Sequence, residues 1–466
     1  MNSALMYFSR VIIFSCVLLS ITISHAQTDK QEIEELKKRI EAIQLENQRQ
    51  IQELKQEIER LDAELTAETN DNVVANDNNL DPEQGGESEW FRQFRAAYDR
   101  GLRFQSEDGN YRMRFRILGQ FQLSVNDTEG ELTSTSFDIR RLRLIWDGNA
   151  FKPWLLYRVG IDATVDDILT DMYFTAAYIN EIAPRVGQFK VPFYREFLTS
   201  AAGLQLVERS IVNREFSLDR DIGVSILGGF TSGYHISYLA GVFNGDGRNG
   251  TSVDSNLMYV GRIQLGLGGD GGRFNANNQF PAASDYSISP NFASKPTFVA
   301  GAAIATMPGL NCDRKSPGGG ACARIAELGF PQSDFTTFTT DVNFKTDWFS
   351  IEAEYAGRWI APETGPMDTS YDQGFNLQGG VFILANTIEV AGRYSLIDYD
   401  TSAGVIPAGM IARDTMWAVT PGLNYYISHD HRLKIQLDYS FLRNTFTNQS
   451  PHTDENLLRL QLSAFF

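Results

Sequence analysis

The sequence predicts an all-β transmembrane β-barrel of about 16 antiparallel strands, preceded by an N-terminal α-helical coiled coil. Two features carry this prediction. Apolar and polar residues alternate with a period of two from residue 90 to Phe466, in runs bounded by Gly, Asn, Asp or Pro. The chain also begins with a segment typical of exported proteins. Aromatic residues make up 12% of the chain and glycine contributes 39 residues, which suits many strands joined by turns.

Residues 1–26 are predicted to be a signal peptide. A single basic residue, Arg10, precedes an apolar run from Val11 to Ile23, and small residues flank His25 at the expected cleavage site. The run is shorter than the roughly 20 residues that a transmembrane helix needs. A short membrane anchor is the alternative, and the polar sequence that follows disfavours it.

Residues 27–68 are predicted to form a periplasmic coiled coil. Apolar residues recur at spacings of three and four, at Ile33, Leu36, Ile40 and Ile43 and again at Ile51, Leu54, Ile58, Leu61 and Leu65. The register slips by four at Asn47, which is a stutter. A monomeric solvated helix is the alternative, but it would expose the apolar seam. Residues 69–89 are acidic and contain no basic residue, so they are predicted to be a flexible linker.

Residues 90–466 are predicted to be the barrel domain. The final run shows the pattern clearly: Leu458, Leu460 and Leu462 alternate with Arg459, Gln461 and Ser463 before the chain ends at Phe466. A soluble β-sandwich would alternate in the same way, but the signal peptide, the aromatic residues near strand ends and the terminal Phe favour a barrel. These 377 residues, at about 23 per strand and loop, give about sixteen strands. An additional run near residues 102–104 suggests a short plug or an end hairpin.

An even number of strands places both ends of the barrel on the periplasmic side, so the coiled coil should project into the periplasm. Trimeric autotransporters also join coiled coils to barrels. Each of their chains contributes only a few strands, whereas this chain supplies enough for a complete barrel.

Composition disfavours several other classes of function. The formal net charge of −17 disfavours nucleic-acid binding, and five His with three Cys are too few and too scattered for a zinc or haem site. No cofactor is expected. No His lies near a recognisable nucleophile motif, so we do not expect an enzyme. Cys312 and Cys322 flank a Gly/Pro-rich turn and are expected to form a disulfide in an oxidising compartment.

Several segments together resemble the phosphate-selective porin O and P family. They are residues 107–116, 137–144, 187–193, 206–210, 219–224, 241–247 and 422–426, followed by Arg-Leu-Lys-Ile-Gln-Leu from Arg432. The resemblance covers essentially all of residues 90–466. It implies a sixteen-stranded homotrimeric barrel in the outer membrane of a Gram-negative-type bacterium, surrounded by lipid and passing small solutes by passive diffusion. Individual members need not select phosphate.

The alternation also indicates which charges face the lumen. The predicted pore-lining and anion-binding residues are Arg112, Arg114, Arg116, Arg140, Arg141, Arg143, Arg158, Lys190 and Arg262. Arg140 and Arg141 coincide with a change in the apolar phase, which a β-bulge would explain. Further inward bases are Arg358, Arg393, Lys434 and Arg459, and the inward acids are Asp138, Asp162, Glu352, Glu354, Glu389 and Asp438. Bases exceed acids, which favours anions such as phosphate. The alternative is that each Arg pairs with an acid and only shapes the field.

The segment from Pro192 to Asp221 lacks clean alternation and is predicted to fold into the pore as its constriction. Its charged candidates are Arg195, Glu208, Arg209, Arg214, Arg220 and Asp221. Glu208–Arg209 and Arg220–Asp221 could instead be ion pairs that pin this loop.

A structural role is the rival hypothesis for the whole chain. In it the coiled coil would dock on peptidoglycan or a periplasmic partner, and the barrel would be an anchor with little or unselective conductance. Measurable pore conductance distinguishes the two.

Overall fold

The computed structural model describes residues 94–466, apart from residues 180, 232–234, 251–254, 269–295, 314–315, 331, 365–366, 403, 407–410 and 448–451. It also describes five isolated residues of the N-terminal region, each helical: Lys38, Arg49, Gln52, Gln56 and Arg60. The chain divides into two units, residues 1–87 and 88–466. The predicted signal peptide and linker lie outside the described residues, and so does almost all of the predicted coiled coil; these stay predictions.

Eighteen strands follow one another in residues 94–466. They are β1 (Phe94–Tyr98), β2 (Leu102–Ser106), β3 (Arg112–Thr128), β4 (Ser134–Asn149), β5 (Leu155–Asp162), β6 (Leu169–Ala176), β7 (Ala183–Lys190), β8 (Arg220–Thr231), β9 (His235–Phe243), β10 (Met258–Gly268), β11 (Thr297–Leu310), β12 (Ser333–Lys345), β13 (Phe349–Pro362), β14 (Ser370–Leu384), β15 (Ile388–Asp398), β16 (Arg413–Tyr426), β17 (Leu433–Phe446) and β18 (Thr453–Phe465). From β3 onward each strand pairs antiparallel with the next, and β18 pairs with β3. The sheet therefore closes into a barrel of sixteen strands, as the sequence predicts.

The two faces of the wall follow the alternation of the sequence. On β18, Leu458, Leu460 and Leu462 are 42–45% exposed on the outside, whereas Arg459, Gln461 and Ser463 are buried inside. An apolar exterior around a polar interior is the reverse of a soluble protein and is typical of a barrel surrounded by lipid. Because β18 pairs with β3, the paired parts of the wall leave no sheet edge open.

The first two strands form a hairpin at one end of the barrel. β1 pairs with β2, and β2 pairs with residues Arg112–Phe115 of β3. Further along the same edge of β3, residues Leu118–Thr128 pair with β18. Phe466 exchanges two backbone hydrogen bonds with Ile117 between them. The run near residues 102–104 is thus an end hairpin. We call this end of the barrel the terminal end and the opposite end the loop end.

The wall has one low side. The adjacent strands β5, β6 and β7 have eight residues each, whereas β3 has 17 and β4 has 16. At about 3.3 Å per residue, eight residues extend about 26 Å along the strand. β7 is the last strand of this low side, and after it the chain enters the lumen.

Residues 191–219, between β7 and β8, form the constriction loop, which folds into the barrel. The loop contains helix α1 (Arg195–Leu198), a 3₁₀ turn (Ala201–Gly203) and helix α2 (Ile211–Phe216). A second inward element, helix α3 (Ala321–Leu328), lies between β11 and β12. Apolar side chains of both elements and of the facing strands form one buried core inside the lumen, which includes Phe193, Tyr194, Val212, Phe216, Met258, Ile325, Leu328, Ile360, Ile397 and Met416. This core fills the side of the lumen bounded by the later strands.

No helix in the described part of the chain is both long enough and apolar enough to cross a membrane.

Candidate functional site

The constriction loop stays inside the barrel because side chains of the barrel wall form hydrogen bonds with its backbone and ion pairs with its side chains. Glu354 on β13 accepts hydrogen bonds from the backbone N–H groups of Arg195 (2.7 Å) and Glu196 (3.2 Å) at the start of α1. The Arg195 guanidinium pairs with Asp341 on β12, which also pairs with Arg262 on β10 at 2.5 Å. Buried charges of this kind are tolerated only when they are paired and hydrogen-bonded, so the sequence places complementary groups on loop and wall.

A second set of contacts anchors the loop further along. Lys434 donates to the carbonyl of Leu204 at 2.6 Å, and Asp438 accepts from the backbone N–H of Val207 at 3.0 Å. The loop then reaches β4, which is separated from β17 by β18 and β3. There Glu208 accepts from Arg140 at 2.6 Å and from Arg141 at 2.8 Å.

Glu208 is held ionised by these two arginines. Burial raises the pKa of a carboxyl group, but the charges of Arg141 and Arg140 and their hydrogen bonds lower the pKa of Glu208 to about 2. The pair is therefore intact throughout the neutral range.

A cavity of about 540 Å³ lies between the constriction loop and strands β4, β7 and β15–β18. Ten basic and four acidic residues line it: Arg140, Arg141, Arg143, Lys190, Arg209, Arg214, Arg220, Arg248, Arg393 and Arg459, with Asp162, Glu208, Asp219 and Glu455. The lining is strongly basic although the whole chain carries a net charge of −17.

A second cavity of about 170 Å³ continues toward the terminal end, where it reaches Phe465. Six basic residues and one acid line it: Arg116, Arg143, Arg158, Arg185, Lys190 and Arg220, with Asp171. Arg143, Lys190 and Arg220 line both cavities. The two cavities therefore meet at three cations.

The meeting point is organised around one aromatic ring. The side chains of Lys190, Arg209 and Arg220 lie 5.2, 5.5 and 5.9 Å from the centre of the Phe197 ring. We call these three cations and Phe197 the basic junction. The distances are within the range of cation–π attraction, which helps three like charges to share one place.

Two of these cations are held by carbonyl groups. Lys190 donates to the carbonyls of Phe197, Leu198 and Thr199 at 2.7–3.0 Å. Arg209 donates to the carbonyls of Glu196 (3.0 Å) and Thr199 (2.7 Å). Within the described part of the chain no carboxylate lies within 4.0 Å of either cation. Neutral carbonyl groups, and not carboxylates, therefore hold both side chains in place.

The predicted arginine column on β3 is only partly at this site. Arg114 and Arg116 both pair with Asp147, and of the column only Arg116 lines a cavity. Arg112 and Arg114 lie at the terminal end, where β3 pairs with β2. Alternation along a strand indicates which way a side chain points, but not the height at which the passage narrows.

On β4 the register shift against β3 leaves Arg140 between the partnered residues Ile139 and Arg141, which is the bulge that the change of phase indicates. Arg140 and Arg141 contact the constriction loop through Glu208. Arg143 pairs with Asp162 at 2.8 Å, and Arg158 on β5 lies 3.7 Å from Asp171.

Two predicted residues lie away from the basic cavities: Arg195 of the constriction segment and Arg262 of the predicted pore lining. Arg195 and Arg262 are buried together against Asp341 on the filled side of the lumen, and neither lines the two basic cavities. Arg214 is exposed on α2 and lines the larger cavity.

The two ion pairs that the sequence suggested as holding this loop in place, Glu208–Arg209 and Arg220–Asp221, are not formed. Glu208 pairs with Arg140 and Arg141 rather than with Arg209, and Arg220 pairs with Asp171 at 3.1 Å rather than with Asp221. Asp221 accepts instead from the backbone N–H groups of Ile222 and Gly245. Neighbours in an extended chain point to opposite sides, which separates these partners.

Sequence reasoning missed Arg185, Arg248 and Phe197. Arg185 on β7 stacks over Tyr173, with its guanidinium carbon 4.4 Å from the ring centre, and points inward on a strand whose alternation breaks at Gly187. Gly187 has φ +126°, and a Cβ there would lie 2.1 Å from the carbonyl oxygen of Met172. A glycine inside a short strand often marks an irregularity, so Gly187 was the sequence feature that could have indicated this break in the alternation.

Cys312 and Cys322 form a disulfide in the segment between β11 and β12, with their Cα atoms 5.4 Å apart. Glu129, His452 and Asp454 at the loop end have ligand atoms within 4.8 Å of one another. Arg443 holds the Asp454 carboxylate in a bidentate pair at 2.7 Å, so this group offers little to a cation.

Comparison with known protein families finds a match over part of the chain. Residues 112–285 match the family described as Phosphate-selective porin O and P. The matched range contains β3–β10, the constriction loop and every residue of the basic junction. The resemblance drawn from the sequence is thus confirmed over this range.

Several solved outer-membrane proteins match the chain at low identity. The anion-selective porin from Comamonas acidovorans is 11% identical, with a TM-score of 0.48 over 76% of this chain and 99% of that one. The outer membrane channel DcaP of Acinetobacter baumannii is 11% identical, with a TM-score of 0.48 over 78% and 99%. In-vitro folded OmpT of Vibrio cholerae is 9% identical, with a TM-score of 0.48 over 76% and 98%. No curated protein sequence matches the chain.

Proposed function

We propose that this chain is an outer-membrane porin through which small anions, phosphate among them, diffuse passively along the basic side of the lumen. The observation that carries the proposal is the lining of the larger cavity, in which ten basic residues face four acidic ones. The chain acts as a channel rather than as an enzyme.

The arrangement suits transport better than tight binding. Arginine guanidinium groups stay protonated and offer paired donors that match the oxygens of phosphate and carboxylate. Most cations of the passage already have a carboxylate partner, which weakens their hold on a passing ion. Conduction requires several weak sites in succession rather than one strong site.

The basic junction is the place where charge selection should be strongest. Lys190 and Arg220 line both cavities and Arg209 lines the larger one, so an ion that moves from one cavity to the other passes close to all three. Burial lowers the pKa of Arg209 to about 10, which still leaves it charged at neutral pH. A cation that enters this point would meet repulsion from all three groups.

The proposed setting is the outer membrane of a Gram-negative-type bacterium. The loop end would face outward, because barrels of this class have longer external loops and short periplasmic turns. Both the terminal end and the coiled coil would then be periplasmic, and we infer a homotrimer from the family resemblance.

The decisive experiment is the reversal potential of the purified protein in a planar bilayer across a KCl gradient. An anion-favouring potential, with reduction of the chloride current by added inorganic phosphate, supports the proposal. A cation-favouring or unselective conductance would contradict the charge preference and leave a general porin. No conductance from correctly folded protein would contradict the channel and favour the structural tether.

A further inference from the structure

The segment between β11 and β12 turns inward over the constriction loop. Its residues 316–328, which include α3, are tied back to the end of β11 by the Cys312–Cys322 disulfide. We call residues 316–328 the lid. Gly319 of the lid lines the larger basic cavity, so the lid borders the passage itself.

Three consecutive glycines allow the backbone of the lid to pack closely against the constriction loop. Gly318 and Gly319 have φ of +92° and +60°, and Gly320 donates a backbone hydrogen bond to the carbonyl of Glu215 at 2.8 Å. A Cβ on Gly319 would lie 2.4 Å from the carbonyl oxygen of Ser217, and one on Gly320 would lie 2.2 Å from the Glu215 carboxyl group. Only glycine permits this approach of two backbones.

A closed ring of six alternating charges joins the lid to α2 and the wall. Neighbours in the ring are 2.6–3.2 Å apart, in the order Arg324, Glu327, Arg413, Glu215, Arg358, Asp372 and back to Arg324. The lid supplies Arg324 and Glu327, α2 supplies Glu215, and strands β13, β14 and β16 supply the others. Arg324 is fully buried, and Arg358 and Asp372 are at most 1% exposed.

Apolar packing reinforces the ring. Ile325 and Leu328 of α3 belong to the same buried core as Val212 and Phe216 of α2. The lid and α2 therefore share backbone, ionic and apolar contacts, whereas α2 carries Arg214 into the cavity. A displacement of the lid removes support from the element that narrows the passage.

We propose that the lid is a disulfide-closed clamp that holds α2 in place and thereby sets the aperture of the channel from the loop end. This inference rests on the proposed function as a channel. The disulfide restricts the lid to positions near the end of β11, and the ionic ring fixes it on α2. Loosening either one lets α2 and Arg214 move away from the cavity, which widens the passage.

Two pairs of single-channel recordings in planar bilayers test this. The first compares the protein before and after dithiothreitol, beside the Cys312→Ser/Cys322→Ser double variant. We expect reduction to raise the single-channel conductance and the number of substates. The double variant should show the same behaviour without reductant and give no further response to it.

The second pair uses Glu327→Gln, which opens the ring, and Asp313→Asn, which removes one negative charge from the same connection without touching the ring. Glu327→Gln should raise the conductance and Asp313→Asn should not. Heat-induced unfolding of each variant shows whether the barrel itself is intact.

Unchanged conductance and substates in reduced protein, in the double variant and in Glu327→Gln, with anion preference retained, would overturn the clamp and leave the proposed function standing. Absence of conductance in the unmodified protein would instead overturn the proposed function, and the clamp with it.

Discussion

Arg209 offers a sharp test of how the basic junction selects ions. Replacing it by Gln removes one positive charge but keeps a side chain that can donate to the carbonyls of Glu196 and Thr199, which Arg209 now contacts. Because no described carboxylate pairs with Arg209, the substitution leaves no acid newly unpaired. The effect should therefore be electrostatic.

The expected size follows from Coulomb's law. A monovalent ion passing at about 5 Å from the guanidinium interacts with it by about 0.8 kcal/mol at the dielectric constant of water. Screening at 0.1 M salt, with a Debye length of about 10 Å, reduces this to about 0.5 kcal/mol. Because the guanidinium attracts an anion and repels a cation by this same amount, Arg209→Gln should lower the anion-to-cation permeability ratio by about fivefold.

The assay is the reversal potential across a KCl gradient, with Arg112→Gln as the matched control. Arg112 carries the same charge and lies on the polar face of β3, but it lines neither cavity. Its substitution should leave the ratio nearly unchanged at 0.1 M salt. An equal fall in both variants would mean that overall charge, and not the junction, sets selectivity; no fall in Arg209→Gln would refute the assignment of the junction.

Three further predictions concern stability. The pKa of Glu208 is about 2 against an ordinary 4.5, so its ion pairs stabilise the fold above pH 4.5, and this contribution of about 3 kcal/mol is lost as the pH falls toward 2. In urea unfolding, the difference in unfolding free energy between wild type and Glu208→Gln should therefore be smaller at pH 3 than at pH 7. The same difference at both pH values would contradict the pairing. Arg195→Ala leaves the buried Asp341 carboxylate with Arg262 as its one remaining ion-pair partner among the described residues, so we expect a loss of about 3 kcal/mol in the free energy of unfolding. A loss below about 1 kcal/mol would show that the loop does not depend on this anchor. Deleting Phe466 removes two backbone hydrogen bonds to Ile117, worth about 1 kcal/mol each, whereas Phe466→Leu keeps both; equal stability of the two variants would contradict this role.

The barrel could be predicted from sequence because lipid and lumen impose opposite polarity on successive residues. Each run such as Leu458–Ser463 therefore reports both its extended conformation and its outward face. The same alternation indicated two further features. An additional alternating run predicted the end hairpin, and a change in the phase of the alternation predicted the bulge at Arg140.

The candidate site could be predicted only in part, because pairing across a lumen depends on the register of several strands and on the path of a loop. Arg220 and Asp171 are 49 residues apart and meet because β6 and β8 both pair with β7, which no local pattern indicates. The carbonyl cage around Lys190 likewise depends on the short helix α1. An excess of inward bases was visible in the sequence, but the place where it concentrates was not.

The seam between β3 and β18 has a consequence for how the barrel folds. Every other pairing in the barrel joins strands that follow one another in the chain, so each can form as a local hairpin. The seam joins Thr128 to Glu455, about 330 residues apart. Bringing such distant ends together costs about 2.5 kcal/mol more in loop-closure entropy than forming a 20-residue hairpin. The slow, last step should therefore be closure of this seam, and until it occurs the edges of both strands stay open to pairing with other chains.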